Sequence, residues 1–264
     1  MNRIKYYTKL WIGYQHMGIS TMTQYPLDTF ILIISMLLRE ASGFIGVFAI
    51  ANVAGGIGNW HTYEICLLFS MCAIIESIGQ TFFDNVWGIS YLVREGQMDK
   101  MIVRPASIFF QMICDAIHMQ AIISMFIYIS IMIYSMKRLG ISCSVELILF
   151  LMEFIICGSV INTGIYMVFN CLDFWVVQGK DVAVLIQTCR EFVKYPIGVF
   201  PGVIRIIFTY VLPFGFVGYY PAAYILGKTG NWVLWGMPLC ALAVSIVAGL
   251  FWRFGTKSYN STGT

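Results

Sequence analysis

Two adjacent ionisable residues, Arg39 and Glu40, lie in the middle of an otherwise apolar stretch of the sequence. An ionisable residue at the centre of a membrane helix costs about 2.5–3.5 kcal/mol, so it usually faces a partner or a water-filled cavity. Adjacent helical positions point about 100° apart, so we expect each residue to reach another helix rather than its neighbour. Glu76 and Asp115, also within apolar stretches, are the candidate partners of Arg39. These four residues predict either a polar translocation path or a buried structural ion pair.

A second set of charged residues lies in residues 90–105, which separate two apolar stretches and which we call the 90–105 loop. Its apolar residues are Met98, Met101, Ile102 and Val103. Mixed with charges, they are typical of a short amphipathic helix, which can lay its apolar side in a partner's groove while the charges fix the register. Gly96 can form the turn before this helix, and Pro105 can begin the next one. An ordinary loop between membrane helices is the alternative interpretation.

Motifs for catalysis or metal binding are missing from the sequence. The three histidines are far apart, and the eight cysteines form no C-x-x-C pair, so neither type supplies a metal-ligand cluster. Residues 227–229 read Gly-Lys-Thr like the end of a phosphate-binding loop, but Ala222 stands where that motif needs a glycine. We therefore predict that the chain is not an enzyme, with no catalytic residue, no cofactor and no metal of its own.

The composition indicates an integral membrane protein. Of the 264 residues, 59% are hydrophobic and only 11% are charged, and the mean hydropathy is +0.79. A soluble domain carries about 25% charged residues. The net charge of +3 is too small to suggest a nucleic-acid partner. Membrane lipid is therefore the expected surrounding of most of the chain.

The apolar stretches predict an all-α, polytopic fold with about six transmembrane helices. They cover approximately residues 27–51, 62–87, 106–136, 144–172 and 232–252, and the fifth of the six helices is expected somewhere within residues 174–195. Residues 196–228 are also apolar, but prolines break them repeatedly, so we expect a broken or re-entrant segment. Counting residues 202–227 as a crossing would give seven helices. Aromatic and basic residues at helical spacing predict that residues 1–25 form an amphipathic helix at the membrane interface, preceding one transmembrane domain over residues 26–264.

Basic residues in the short loops predict the orientation. Those expected on the inner side are Arg3, Lys5, Lys9, Arg94, Lys100, Arg104, Lys180, Arg253 and Lys257. Those expected on the outer side are Lys137, Arg138, Lys228 and, with an uncertain path, Arg190, Lys194 and Arg205. The bias places both termini in the cytoplasm.

The 90–105 loop resembles the signature loop of ABC type 2 permeases, in particular the bacterial multidrug and daunorubicin-like branch. That loop reads approximately Arg-x-Gly-x-x-Asp, then apolar residues, then Arg-Pro. The matching residues are Arg94, Gly96, Asp99, Arg104 and Pro105. Residues 195–205, 212–214 and 220–222, which contain the prolines noted above, also resemble that family, and the six-helix layout agrees with it.

The resemblance implies that the 90–105 loop is the coupling helix that docks on a nucleotide-binding subunit. The implied contact residues are Arg94, Glu95, Gly96, Met98, Asp99, Met101, Ile102, Arg104 and Pro105. It further implies two separate ATPase subunits that hold ATP and Mg²⁺, and a second permease chain, identical or homologous. Family members are mostly exporters of drugs, lipids or glycans, so we expect an exporter of an amphipathic substrate in a bacterial cell membrane.

Two other classes of function remain open. An ion-coupled secondary transporter or channel would use the four residues Arg39, Glu40, Glu76 and Asp115 as its ion path, and internal inverted repeats would support it. A membrane-embedded enzyme acting on lipids would need clustered acids or histidines near one interface. The sequence displays neither feature.

Overall fold

The computed structural model describes residues 3–114, 119–176 and 179–259 and, within them, contains helices and no β-strand. The first six helices are α1 (Arg3–Gln24), α2 (Pro26–Val53), α3 (Thr62–Phe82), α4 (Ile89–Arg94), α5 (Gln97–Ile102) and α6 (Ile108–Cys114). The other six are α7 (Met119–Arg138), α8 (Val145–Asn170), α9 (Gly179–Glu191), α10 (Gly202–Ile206), α11 (Tyr219–Ile225) and α12 (Trp232–Ser258). The all-α prediction is confirmed.

Five helices are long and apolar enough to cross a membrane: α2, α3, α7 from Ala121, α8 with the turn that follows it, and α12. Local sequence signals set where these helices begin. Pro26 occupies the first turn of α2, the Ser144 hydroxyl accepts a hydrogen bond from the Leu147 amide at the start of α8, and the Glu64 carboxylate accepts one from the His61 amide at the start of α3. Three of the helices follow the expected ranges 27–51, 144–172 and 232–252 closely. The helix expected at 62–87 ends at Phe82, and of the range 106–136 the structure describes α6 and α7, of which α7 from Ala121 is a candidate span.

Helix α3 forms the centre of the bundle. In the most apolar 18 residues of α3, 72% of the residues are buried, whereas in the corresponding part of α2, at the periphery, 6% are buried. Helices α7 and α8 pack against α3, and α12 packs against α8. Large side chains such as Phe69, Met71 and Phe154 fill the space between them.

The contacts define two ends of the bundle, which we call the near end and the far end. The near end carries the 90–105 loop, the α8–α9 connection, where Trp175 bonds Ser258, and α1, whose Tyr14 accepts a hydrogen bond from Arg104. The far end carries the start of α3 and the loop before α12, joined by an ion pair between Lys228 and Glu64 at 2.5 Å. Both described chain ends therefore lie at the near end.

The sixth passage, between the near-end Trp175 and the far-end Lys228, is discontinuous. Helix α9 has 13 residues, about 20 Å of helix, whereas a hydrocarbon core is about 30 Å thick. The fifth helix does lie within residues 174–195, as expected, but it is too short to cross a membrane on its own. The chain reaches the far end only at Val199, which lies against Gly58.

Residues 196–228 form a series of short helices broken by turns, which agrees with the expectation of a broken or re-entrant segment. From Val199 at the far end the chain returns to the middle of α3, where Gly218 is so close to Cys72 that a Cβ atom would lie 2.0 Å from the cysteine sulfur. It then runs back through α11 to Lys228. Pro201 and Pro213 separate the short helices on the way, and the buried residues 214–217 are shielded by protein, as non-helical backbone at membrane depth requires.

Candidate functional site

A cavity of about 430 Å³ opens between α2, α3, α8 and α9 in the half of the bundle that is closer to the near end. Its polar lining residues are Ser35, Arg39, Glu76, Gln80, Asp84, Asn162, Thr163 and Gln187. Aromatic rings of Phe83, Trp87 and Tyr166 complete the wall. A site with polar and aromatic walls at this depth suits a molecule that is partly polar and partly apolar.

Arg39 and Glu40 bond to each other, contrary to the prediction that each reaches only another helix. The Arg39 guanidinium donates to the Glu40 carboxylate from Nη2 at 2.8 Å and from Nε at 3.2 Å. Both side chains are long enough to bend across the 100° between their positions. Glu40 does also reach a second helix, because its other oxygen accepts a hydrogen bond from Tyr128 on α7. The Arg39 side chain remains 62% exposed.

Glu76 pairs with basic residues of the discontinuous passage rather than with Arg39. Its carboxylate contacts the Arg190 guanidinium at the end of α9, and Lys194 lies 3.7 Å away. Arg190 also donates to the Cys72 carbonyl at 2.9 Å and is 2% exposed. Cations at the C-terminal end of α9 complement the negative end of its dipole. This cluster fastens a helix that ends at mid-depth.

The expectation that Arg190 and Lys194 lie at the outer end is therefore wrong. Both contact the middle of α3, because α9 is too short to carry them further. The sequence did contain a signal that α9 is short. Arg190 and Lys194 are four residues apart directly before Tyr195–Pro196, in a segment of low hydrophobicity. Arg39 and Glu76 do line the same cavity, whereas Asp115 lies outside the described residues.

The 90–105 loop folds as two short helices with a sharp turn between them. Helix α4 ends at Arg94, and Gly96 adopts a φ of +63°, a left-handed conformation that glycine tolerates best. Helix α5 then covers Gln97–Ile102, and the Gln111 side chain donates to the Met101 carbonyl at 2.9 Å. A short helix after a glycine turn agrees with the sequence expectation.

The apolar residues of this loop divide into two groups. Met98 and Met101 are 1% and 7% exposed, so they anchor the loop to its own chain. Ile102 and Val103 are 51% and 82% exposed at the near end. The interpretation of Met98 and Met101 as anchors for a partner does not fit their burial; the accessible apolar surface is Ile102 with Val103, beside the exposed Arg104 and Pro105.

Besides its bond to Gln111 of α6, the 90–105 loop contacts the α8–α9 connection and both terminal regions of the chain. Arg94 bonds the Asp173 carboxylate at 2.8 Å in the α8–α9 connection, and Arg104 bonds Tyr14 of α1 at 3.1 Å. Asp99 interacts with Tyr259, and burial together with this contact raises the pKa of the Tyr259 phenol. The loop is therefore joined to both terminal regions and to the discontinuous passage.

Comparison with known proteins gives one match. The family model described as ABC-2 family transporter protein matches residues 37–263, which is nearly the whole chain. Neither the search of curated proteins nor the search of solved structures finds a match.

Proposed function

Because the chain belongs to the ABC-2 family of transporter proteins, we propose that it is the transmembrane permease subunit of an ABC transporter driven by separate ATPase subunits. In this proposal it acts with a second permease chain, identical or homologous, and two ATPase subunits that bind ATP and Mg²⁺. The permease itself carries out no chemistry. It converts movement of the ATPases into a change of access to the substrate path.

The observation that carries this proposal is the exposed surface of the 90–105 loop. Ile102 and Val103 form an accessible apolar centre, with the charged Glu95, Lys100 and Arg104 nearby on the same short segment. Apolar centres supply most of the energy of an interface, and surrounding charges set orientation and encounter rate. The buried side of α5 holds this surface in place, as a transmitter of force requires.

The cavity supports an amphipathic substrate and an export direction. It lies in the half of the bundle closer to the proposed ATPase surface, so in this proposal a substrate from the inner leaflet or the cytoplasm would reach it first. Two of its charged residues are neutralised by ion pairs, since Arg39 pairs with Glu40 and Glu76 with Arg190. A drug-like, lipidic or glycan molecule with both polar and apolar parts fits such walls better than a bare ion.

We expect the near end to face the cytoplasm of a bacterial cell. Arg190 and Lys194 lie at mid-depth, so they no longer count among the basic residues of the outer side. The remaining basic residues are therefore more strongly biased to the near end. A reporter protein fused after Thr264 should therefore be active inside the cell, and one inserted in the 139–144 loop should be active outside. Activity of the first fusion on the outer side would overturn this orientation.

Co-purification tests the proposed function directly. The tagged chain, extracted with mild detergent and expressed with candidate ABC ATPase subunits from its own genome, should retain one of them in equal copy number and hydrolyse ATP as a complex. The same ATPase with its catalytic glutamate changed to glutamine should bind but not hydrolyse. If every candidate ATPase fails to bind while vesicles transport substrate in response to an ion gradient, the ion-coupled alternative replaces this proposal.

A further inference from the structure

A half-buried ion pair joins the 90–105 loop to the interior of the bundle. Arg94, the last residue of α4, donates from Nη2 to the Asp173 carboxylate at 2.8 Å. The two partners differ sharply in exposure, since the Arg94 side chain is 42% exposed and that of Asp173 is not exposed at all. Asp173 therefore presents no surface to another protein, whereas Arg94 lies next to the exposed docking surface.

Asp173 lies in a tightly packed turn that leads into α9. The turn covers Cys171–Phe174, and the Phe174 ring lies so close to Gly255 of α12 that a Cβ atom there would be 2.3 Å from it. The first residue of α9, Gly179, lies against the same turn, because its Cβ atom would be 2.7 Å from the Asp173 amide nitrogen. Dense packing of this kind transmits displacement rather than absorbing it.

Helix α9 carries this connection to the cavity. Its residues Ala183, Ile186 and Arg190 are buried along one side, and Gln187 lines the cavity. At its end Arg190 pairs with Glu76, which also lines the cavity. An unbroken sequence of contacts therefore runs from Arg94 through Asp173 and α9 to the cavity wall.

We propose that the Arg94–Asp173 pair is the positioning contact through which movement of the 90–105 loop shifts α9 and changes access to the cavity. This inference rests on the proposed function. Arg94 acts here through Asp173 and not through affinity for the ATPase. Loss of the pair should therefore uncouple the permease while leaving the ATPase bound.

The test uses the permease–ATPase complex in lipid nanodiscs, with Gln187→Cys as a reporter at the cavity wall. The rate at which N-ethylmaleimide modifies this introduced thiol is measured by peptide mass spectrometry, without nucleotide and with ATP plus vanadate. The parent should give two different rates. In Arg94→Gln and in Asp173→Asn the ratio of those rates should move toward one by about two- to thirtyfold, whereas Arg94→Lys, which keeps the charge, should retain much of the response.

The double variant Arg94→Gln with Asp173→Asn separates positioning from stability. It removes both charges of the pair, so it should fold even where Arg94→Gln alone, which leaves the buried Asp173 carboxylate without Arg94, does not. Its response should be no lower than that of either single variant, because all three variants remove the same contact. Arg253→Gln on α12 makes the same side-chain change at the near end and should keep the parent's response.

Two results would overturn the inference. One is a full nucleotide response in the double variant with the ATPase bound; the other is a parent complex that hydrolyses ATP without any response at the introduced thiol. Neither result would touch the proposed function. A parent that binds no ATPase would instead overturn the proposed function itself.

Discussion

Replacing Ile102 and Val103 together by aspartate is expected to abolish binding of the ATPase subunit while leaving the permease folded. Both side chains are mostly exposed, so the change removes little packing within the chain. Loss of a central apolar contact costs about 2 kcal/mol or more at each hot-spot position. The loss at a single one of the two positions therefore lowers the affinity for the ATPase by about thirtyfold or more. Binding is measured by titrating purified ATPase onto the permease in nanodiscs, together with ATP hydrolysis by the complex.

Met101→Asp provides the matched comparison, since it places the same charge on the same short helix at a buried position. It should reduce the amount of folded permease rather than its affinity, because burying an unpaired charge is costly. Ile102→Val should behave like the parent. Unchanged binding of the Ile102→Asp, Val103→Asp variant would contradict the docking surface, and a well-folded Met101→Asp protein that fails to bind would return the anchor role to Met101.

The second large effect is expected at Arg190. Replacing Arg190 by alanine leaves the Glu76 carboxylate at mid-depth without its closest partner, and breaking a buried pair costs about 3–5 kcal/mol. Lys194, at 3.7 Å from the same carboxylate, compensates only in part. The yield of monodisperse protein and its thermal midpoint should both fall. Changing Glu76 to glutamine in the same chain should recover much of the loss.

Arg39→Ala is the control for this prediction. Arg39 is 62% exposed, and its loss leaves Glu40 bonded to Tyr128, so the thermal midpoint should change much less than in Arg190→Ala. If Arg39→Ala proves the more damaging change, Arg39 is covered by another chain in the assembly and its pairing is not what the isolated chain displays. Equal stability of Arg190→Ala and the parent would refute the fastening role of Arg190.

The positions of the long helices could be predicted because length and hydropathy determine them almost alone. Stretches such as residues 62–82 and 232–258 are interpreted as transmembrane helices, since a run of about 20 apolar residues matches the thickness of the bilayer. The family resemblance also came from local residues, such as Arg104–Pro105 in the 90–105 loop. These features do not depend on which helices become neighbours.

The candidate site could be predicted only in part, because it depends on neighbours. Arg39 and Glu76 were found from their rarity in apolar sequence, but their actual partners, Glu40 and Arg190, follow from side-chain reach and from the short α9. Helix α5 has only six residues, and apolar side chains point to more than one of its sides. Which of these sides is buried depends on the contact with α6 and cannot be read from the sequence. Asn162 at the cavity had no sequence signal that sets it apart from a structural amide.

The discontinuous passage has a consequence for how the protein is made. An insertion machinery that tests each emerging segment for length and hydrophobicity would accept the five long helices and pass over α9 and residues 202–211, which are too short. Residues 176–231 therefore have no independent hold on the bilayer when they leave the ribosome. They gain it once α12, the last long helix to be synthesised, has inserted parallel to α8 and packed on it. The last eighth of the chain to be translated thus decides whether the preceding fifth becomes a membrane segment at all.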